Sequence, residues 1–124
     1  MDLRKPKLIS VEAAKRYVGK RDLVINAYAP WCTHCQKFEA TYTEFYQRLK
    51  MTHPNVKVVR LNAHKHLEEL EKLKIGADKY ESSISEAIQS YPTVLLLRQD
   101  GQGGVYEGQR EVGNMTDLIG KFFS

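Results

Sequence analysis

Long apolar runs, repeats and any surplus of cysteine are all missing from this 124-residue chain. Its longest apolar stretches are short, such as Val94 to Leu97, against the roughly 20 residues that a membrane-spanning helix needs. A soluble domain without a membrane partner is therefore expected. Met1 to Pro6 carry charges but lack the apolar run of about 7 to 15 residues typical of a secretory signal, so no export address is read there. Cysteine occurs only at Cys32 and Cys35. Two so close together cannot staple distant parts of a core, which excludes a disulfide scaffold and leaves the pair to be explained by chemistry. The length suits one compact domain, residues 1–124.

What charge there is lies unevenly. Residues 1 to 21 hold seven basic side chains against Asp2 and Glu12, a local +5 within a net +4 chain. Such a run can dock an acidic partner or nucleic acid. No interleaved aromatics or nucleic-acid motif accompany it, so it is read as solvated helix faces and ends, with no nucleic-acid partner.

Apolar periods set the order of elements. Val11, Ala14 and Val18 follow Ser10 at helical spacing, with Gly19 placed to end the helix. Leu23 to Tyr28 is a short, nearly continuous apolar run, the composition of a strand covered on both faces. From Thr33 to about Met51, Cys35, Phe38, Tyr42, Phe45 and Leu49 share one face of an amphipathic helix. His53-Pro54-Asn55 breaks it, and Val56 to Leu61 reads as a second strand. Leu67, Leu70 and Leu73 mark a helix that Gly76 closes; Ser83 and Glu86 form a capping box for another over about 84–90. Thr93 to Arg98 and Val105 to Glu107 are read as a hairpin, and Asn114 as the cap of a last helix bearing Met115, Leu118, Ile119 and Phe122. The sum is one mixed α/β sheet with helices on both faces.

Within this order Cys-Thr-His-Cys follows a buried strand through Ala29-Pro30-Trp31 and opens a helix. The first amides of a helix lack internal partners, and its dipole places roughly half a positive charge there. Such a position can lower a cysteine's pKa from about 8.5 to about 3.5–7.5, which would make Cys32 a nucleophile near neutrality. His34, when protonated, adds to this. Cys35 shares the apolar face with Phe38, so it is expected to point inward while Cys32 stays at the rim. Sulfurs three residues apart at a helix start can reach disulfide geometry. An exposed attacking thiol with a sheltered resolving one suits thiol–disulfide exchange, which needs no external cofactor.

Val24 to Cys35 (VINAYAPWCTHC), with Tyr91-Pro92-Thr93 and Tyr106 to Arg110 (YEGQR), resembles the thioredoxin superfamily, in particular a catalytic domain of the protein disulfide isomerase type, over about residues 8 to 123. The resemblance implies a thioredoxin fold and formation, reduction or isomerisation of disulfides in protein or peptide substrates. It implies Trp31 shielding the disulfide, and a cis peptide between Tyr91 and Pro92 that lets Tyr91 backbone groups pair with bound peptide. It also implies that Arg110 helps the Cys35 thiolate to form. A monomer is expected. As a complete protein the chain would be cytoplasmic; cut from a longer secretory-pathway protein, it would belong to the endoplasmic reticulum lumen.

Two departures stand out. Where the family places a buried acid and a neighbouring lysine, this chain has Asn26 and Arg60, neither of which can relay a proton. Either water and Arg110 suffice, or the resolving step is slow, or Asn26 simply hydrogen-bonds in its strand. The stretch Asn62 to Pro92 is also longer than usual by about one helix, an extra short helix inserted before the proline. It is either a spacer or a wall of the peptide groove, with Tyr80 and Ile84 as contacts. Competing readings are a metal site built from the cysteines with His53, His64 and His66, and a non-catalytic module that binds clients beside Pro92. His64 and His66 would point about 160° apart on a helix, so no metal is expected and these histidines are read as solvent-facing.

Overall fold

The protein is described here from a computed structural model in which residues 5–66 and 84–124 are placed. In chain order these form β1 (Lys7–Leu8), α1 (Val11–Tyr17), β2 (Leu23–Tyr28), α2 (Thr33–Thr52), β3 (Lys57–Asn62), α3 (Ile84–Ala87), β4 (Thr93–Leu97), β5 (Gly103–Val105) and α4 (Val112–Phe122). Among the described residues the strands make one sheet in the order β1-β3-β2-β4-β5. β1, β3 and β2 run parallel, whereas β4 and β5 pair antiparallel. This is the thioredoxin fold that the resemblance implied.

β2 lies at the centre, and its side chains alternate between two cores. Leu23, Ile25 and Ala27 join Val11, Ala14, Val59, Leu61 and Leu95 beneath α1. Val24 joins Phe38, Tyr42, Phe45, Leu49, Met115 and Ile119 beneath α2 and α4. That double cover explains the unbroken apolar run. The α2 stripe from Cys35 to Leu49 is buried at each predicted position, and complete burial of each large side chain contributes about 1.5–3 kcal/mol. The Tyr42 hydroxyl donates to the Val59 carbonyl oxygen at 2.7 Å, so its polar end is satisfied inside the core.

Local chemistry sets the element ends. Ser10 Oγ accepts from the Ala13 amide at 3.1 Å and caps α1, while Gly19, at φ +80°, turns the chain after it. The final helix departs from the sequence reading. It starts at Val112 with Glu111 in the cap position, and Asn114 lies inside it, donating to the Gln109 side chain at 2.7 Å. The hairpin strand is Gly103–Val105, earlier than expected, because Gly101 at φ +92° makes the turn immediately after Asp100. α3 ends at Ala87 rather than near residue 90. The Leu67–Leu73 helix, Gly76, Tyr80, Ser83 and the Ile84 side chain lie outside the described residues.

Candidate active site

The carboxyl end of central β2 runs through Ala29-Pro30-Trp31 into α2, which places Cys32 at the helix cap and Cys35 inside the first turn. The Cys32 amide donates to Ala29 O at 3.1 Å and Gln36 Nε2 to Pro30 O at 3.0 Å, fixing this turn. Both cysteines are free thiols. Cys32 Sγ accepts the Cys35 amide at 3.1 Å, the capping role that a serine or aspartate oxygen fills elsewhere. Its own S–H donates to the Tyr91 carbonyl at 3.6 Å. Tyr91–Pro92 is a cis peptide.

The two thiols are equally covered, each 6% exposed. The exposed position expected for Cys32 is therefore corrected: it is buried with Cys35 and Ala29 in a cluster against which Tyr28 and Tyr91 pack. Their neighbourhoods differ instead. Cys32 borders a groove of about 700 Å³, lined with Trp31, His34, Ile88, Gln89, Ser90 and Tyr91. Cys35 borders a separate cavity of about 220 Å³, shared with Asn26, Tyr28, Glu39 and Arg60. Burial, reinforced by Cys32, pushes the Cys35 thiol up to about 11; the Ala29 amide and the Arg110 charge oppose the rise without cancelling it.

Around this pair, Trp31 is 64% exposed, and its ring meets Tyr91 and His64 edge-on at 5.9 and 5.6 Å. His34 is exposed at the groove. Arg110 Nη2 donates to the Pro92 carbonyl at 2.8 Å, and its guanidinium lies over the Phe38 ring at 5.8 Å. Its loop is held by Tyr106, whose hydroxyl donates to Gln109 O. A Cβ at Gly108 would come within 2.6 Å of that hydroxyl, so glycine lets the loop close over the ring.

No sequence motif marks Ile88, Gln89 and Ser90; their position just before Tyr91-Pro92 is the signal the sequence offers. Glu39, one turn after Cys35 on α2, carries no motif either. Among the histidines, His64 is exposed against Trp31, but His53 is half-buried, bonded to Thr52 Oγ1 at 2.9 Å and Ser124 Oγ at 3.1 Å. The solvent-facing reading is therefore corrected for His53, which ties the end of α2 to the end of α4, and for His66, which is half-buried. No cluster of three or more His, Cys, Asp or Glu suited to a metal occurs among the described residues.

A sheet of this order with two sulfurs at the mouth of its central helix defines a thioredoxin-fold dithiol domain. The family model described as Thioredoxin matches residues 7–121, and the chain belongs to that family. It is 31% identical over 115 residues to a protein disulfide-isomerase of Zea mays, covering 91% of this chain and 20% of that protein. A shorter stretch of 43 residues is 49% identical to a probable protein disulfide-isomerase A4 of Caenorhabditis elegans, covering 35% of this chain and 7% of the relative. Human ERp44 form I superposes with a TM-score of 0.76 at 22% identity, over 100% of this chain and 31% of that one. The first thioredoxin domain of mouse protein disulfide-isomerase A4 gives 0.71 at 20% identity, over 98% and 77% of the two chains. These two likenesses bear on the fold. The chain spans about a quarter or less of the curated relatives it matches.

Proposed function

We propose that this domain exchanges thiols and disulfides in protein substrates, with Cys32 as nucleophile and Cys35 as the resolving thiol. The observation that carries the reading is the placement of Cys32 Sγ, which receives an amide N–H at 3.1 Å and borders a groove large enough for an extended peptide. The names of the relatives, protein disulfide-isomerases, support the same chemistry. In reduction or isomerisation, the Cys32 thiolate attacks a substrate disulfide and forms a mixed disulfide, and Cys35 then displaces the substrate thiolate. In oxidation, a substrate thiolate attacks Cys32 of the Cys32–Cys35 disulfide and Cys35 leaves; a second substrate thiolate then attacks the substrate sulfur of the mixed disulfide, Cys32 leaves, and the substrate disulfide forms as the pair is left reduced.

Trp31 and Tyr91 line the substrate groove in this reading, with Ile88 to Ser90 as its far wall; Pro92, expected there from the sequence, lines the neighbouring pocket with Thr93 and Arg110 instead. Arg110 supplies positive charge near Cys35, and the His34 ring lines the groove beside Cys32. Insulin reduction and refolding of scrambled ribonuclease, each compared with Cys32→Ser, test the proposal. Turnover is expected to disappear in the variant, whereas equal turnover would leave a client-binding module in its place. Titration against a glutathione series sets the direction of electron flow. A potential near that of protein disulfide isomerase, about −180 mV, is expected, and one near −270 mV would make the domain a reductant.

A further inference from the structure

The cavity behind Cys35 contains an unmet demand. Asn26 is 3% exposed, and its Oδ1 is buried without a hydrogen-bond partner, a condition that native proteins resolve with a donor, often water. The space, about 220 Å³ and shared with Cys35, Glu39 and Arg60, has room for water. The register brings Asn26 and Arg60 opposite each other on β2 and β3. Arg60 then reaches outward, donating to Glu39 Oε1 at 3.3 Å and to the Pro6 carbonyl at 3.2 Å.

None of these groups is a good destination for a proton from Cys35. An amide neither takes nor gives one, and a guanidinium stays charged. The Glu39 side chain is 51% exposed and engaged by Arg60 at the mouth. Oδ1 can hold a water by one hydrogen and leave its oxygen free to meet a thiol, but that water must pass the proton on.

We propose that Asn26 makes the release step depend on base entering this cavity from solvent, so that the domain keeps a client bonded to Cys32 longer than an Asn26→Asp variant would. The inference rests on the exchange reading above. In the step concerned, hydroxide or a small amine such as imidazole takes the proton of the Cys35 thiol through the cavity water. The thiolate attacks Cys32 Sγ, the Cys32–Cys35 bond forms and the Cys32–client bond breaks. The electron pair leaves on the client sulfur, which takes a proton from solvent. Across capture and release the client disulfide gains two electrons and the cysteine pair loses two. A burial-raised Cys35 thiol accords with this order of events.

The test follows capture and release separately, by acid quench, with a fluorescein-labelled peptide disulfide. In the unmodified protein, release is expected to quicken about tenfold per pH unit between neutrality and pH 9, as thiolate supply requires. It should also rise in proportion to added imidazole at fixed pH. Asn26→Asp should speed release at pH 7 by about tenfold or more and flatten its pH dependence, the gain typical of an internal base. Release that ignores both pH and imidazole would overturn the inference even if no Asn26 variant folds. So would an Asn26→Asp protein that folds and releases no faster, or a loss of about tenfold in Glu39→Gln, which would put the acceptor inside the protein. Absence of capture by Cys32 would instead remove the exchange reading itself.

Discussion

Cys32 and Cys35 sit one helical turn apart and are covered to the same extent, yet one faces a groove of about 700 Å³ and the other a cavity of about 220 Å³. Cys32 Sγ accepts an amide N–H, whereas Cys35 sits where burial disfavours its anion. Exposure therefore does not distinguish the two sulfurs. The contacts around each sulfur and the space behind it do.

The strongest way to break this comparison is to delete the inner sulfur. With Cys35→Ala, capture of a peptide disulfide should persist while release falls by at least about 1,000-fold, since an intramolecular thiol enjoys a large effective concentration. Quenched time courses will show it; parallel loss of both steps would mean that the sulfurs act as one unit. Site-resolved alkylation across pH comes next. A thiol pushed up to about 11 by burial holds far less thiolate at neutrality than a free cysteine. Labelling of Cys35 should accordingly climb with pH until near 11, because raising the pKa extends the protonated form upward. Labelling at pH 7 at the rate of free cysteine would erase the distinction.

A smaller effect is expected from Arg110→Met. The Arg110 charge opposes the rise at Cys35, so its removal should slow release by about three- to tenfold and leave capture unchanged, as loss of a nearby favourable charge predicts. Equal slowing of both steps would point to damage in the Pro92 loop. Smallest, and a control on all of these, is Tyr42→Phe. Loss of its hydroxyl should lower unfolding stability by about 1 kcal/mol in urea titration and move neither step, although the ring lies in the same helix stripe as Cys35.

Much of this arrangement could be read in the sequence where burial is two-sided or periodic. β2 and β4 announced themselves as apolar runs, and the stripe on α2 fell at its expected positions. β1 did not, since two exposed residues, Lys7 and Leu8, carry no period; they belong to the sheet only through backbone pairing with Val59 and Arg60. The cap of α4 was misplaced because Asn114 is a good capping residue that spends its amide on Gln109 instead. The cysteines, Trp31 and the Tyr91-Pro92 pair were visible as a motif, whereas the cavity was not. It is assembled by the pairing of Asn26 with Arg60 across strands and by one turn of helix from Cys35 to Glu39, and such register exists only once the chain has folded.

One small contact carries a mechanical consequence. The Arg60 guanidinium holds Glu39 with one arm and the carbonyl of Pro6 with another, and Pro6 leads directly into the two-residue edge strand. Tension applied at the chain's beginning would peel that edge first and loosen the arginine. The cavity behind Cys35, which Arg60 and Glu39 help to line, would feel the tug before the core did.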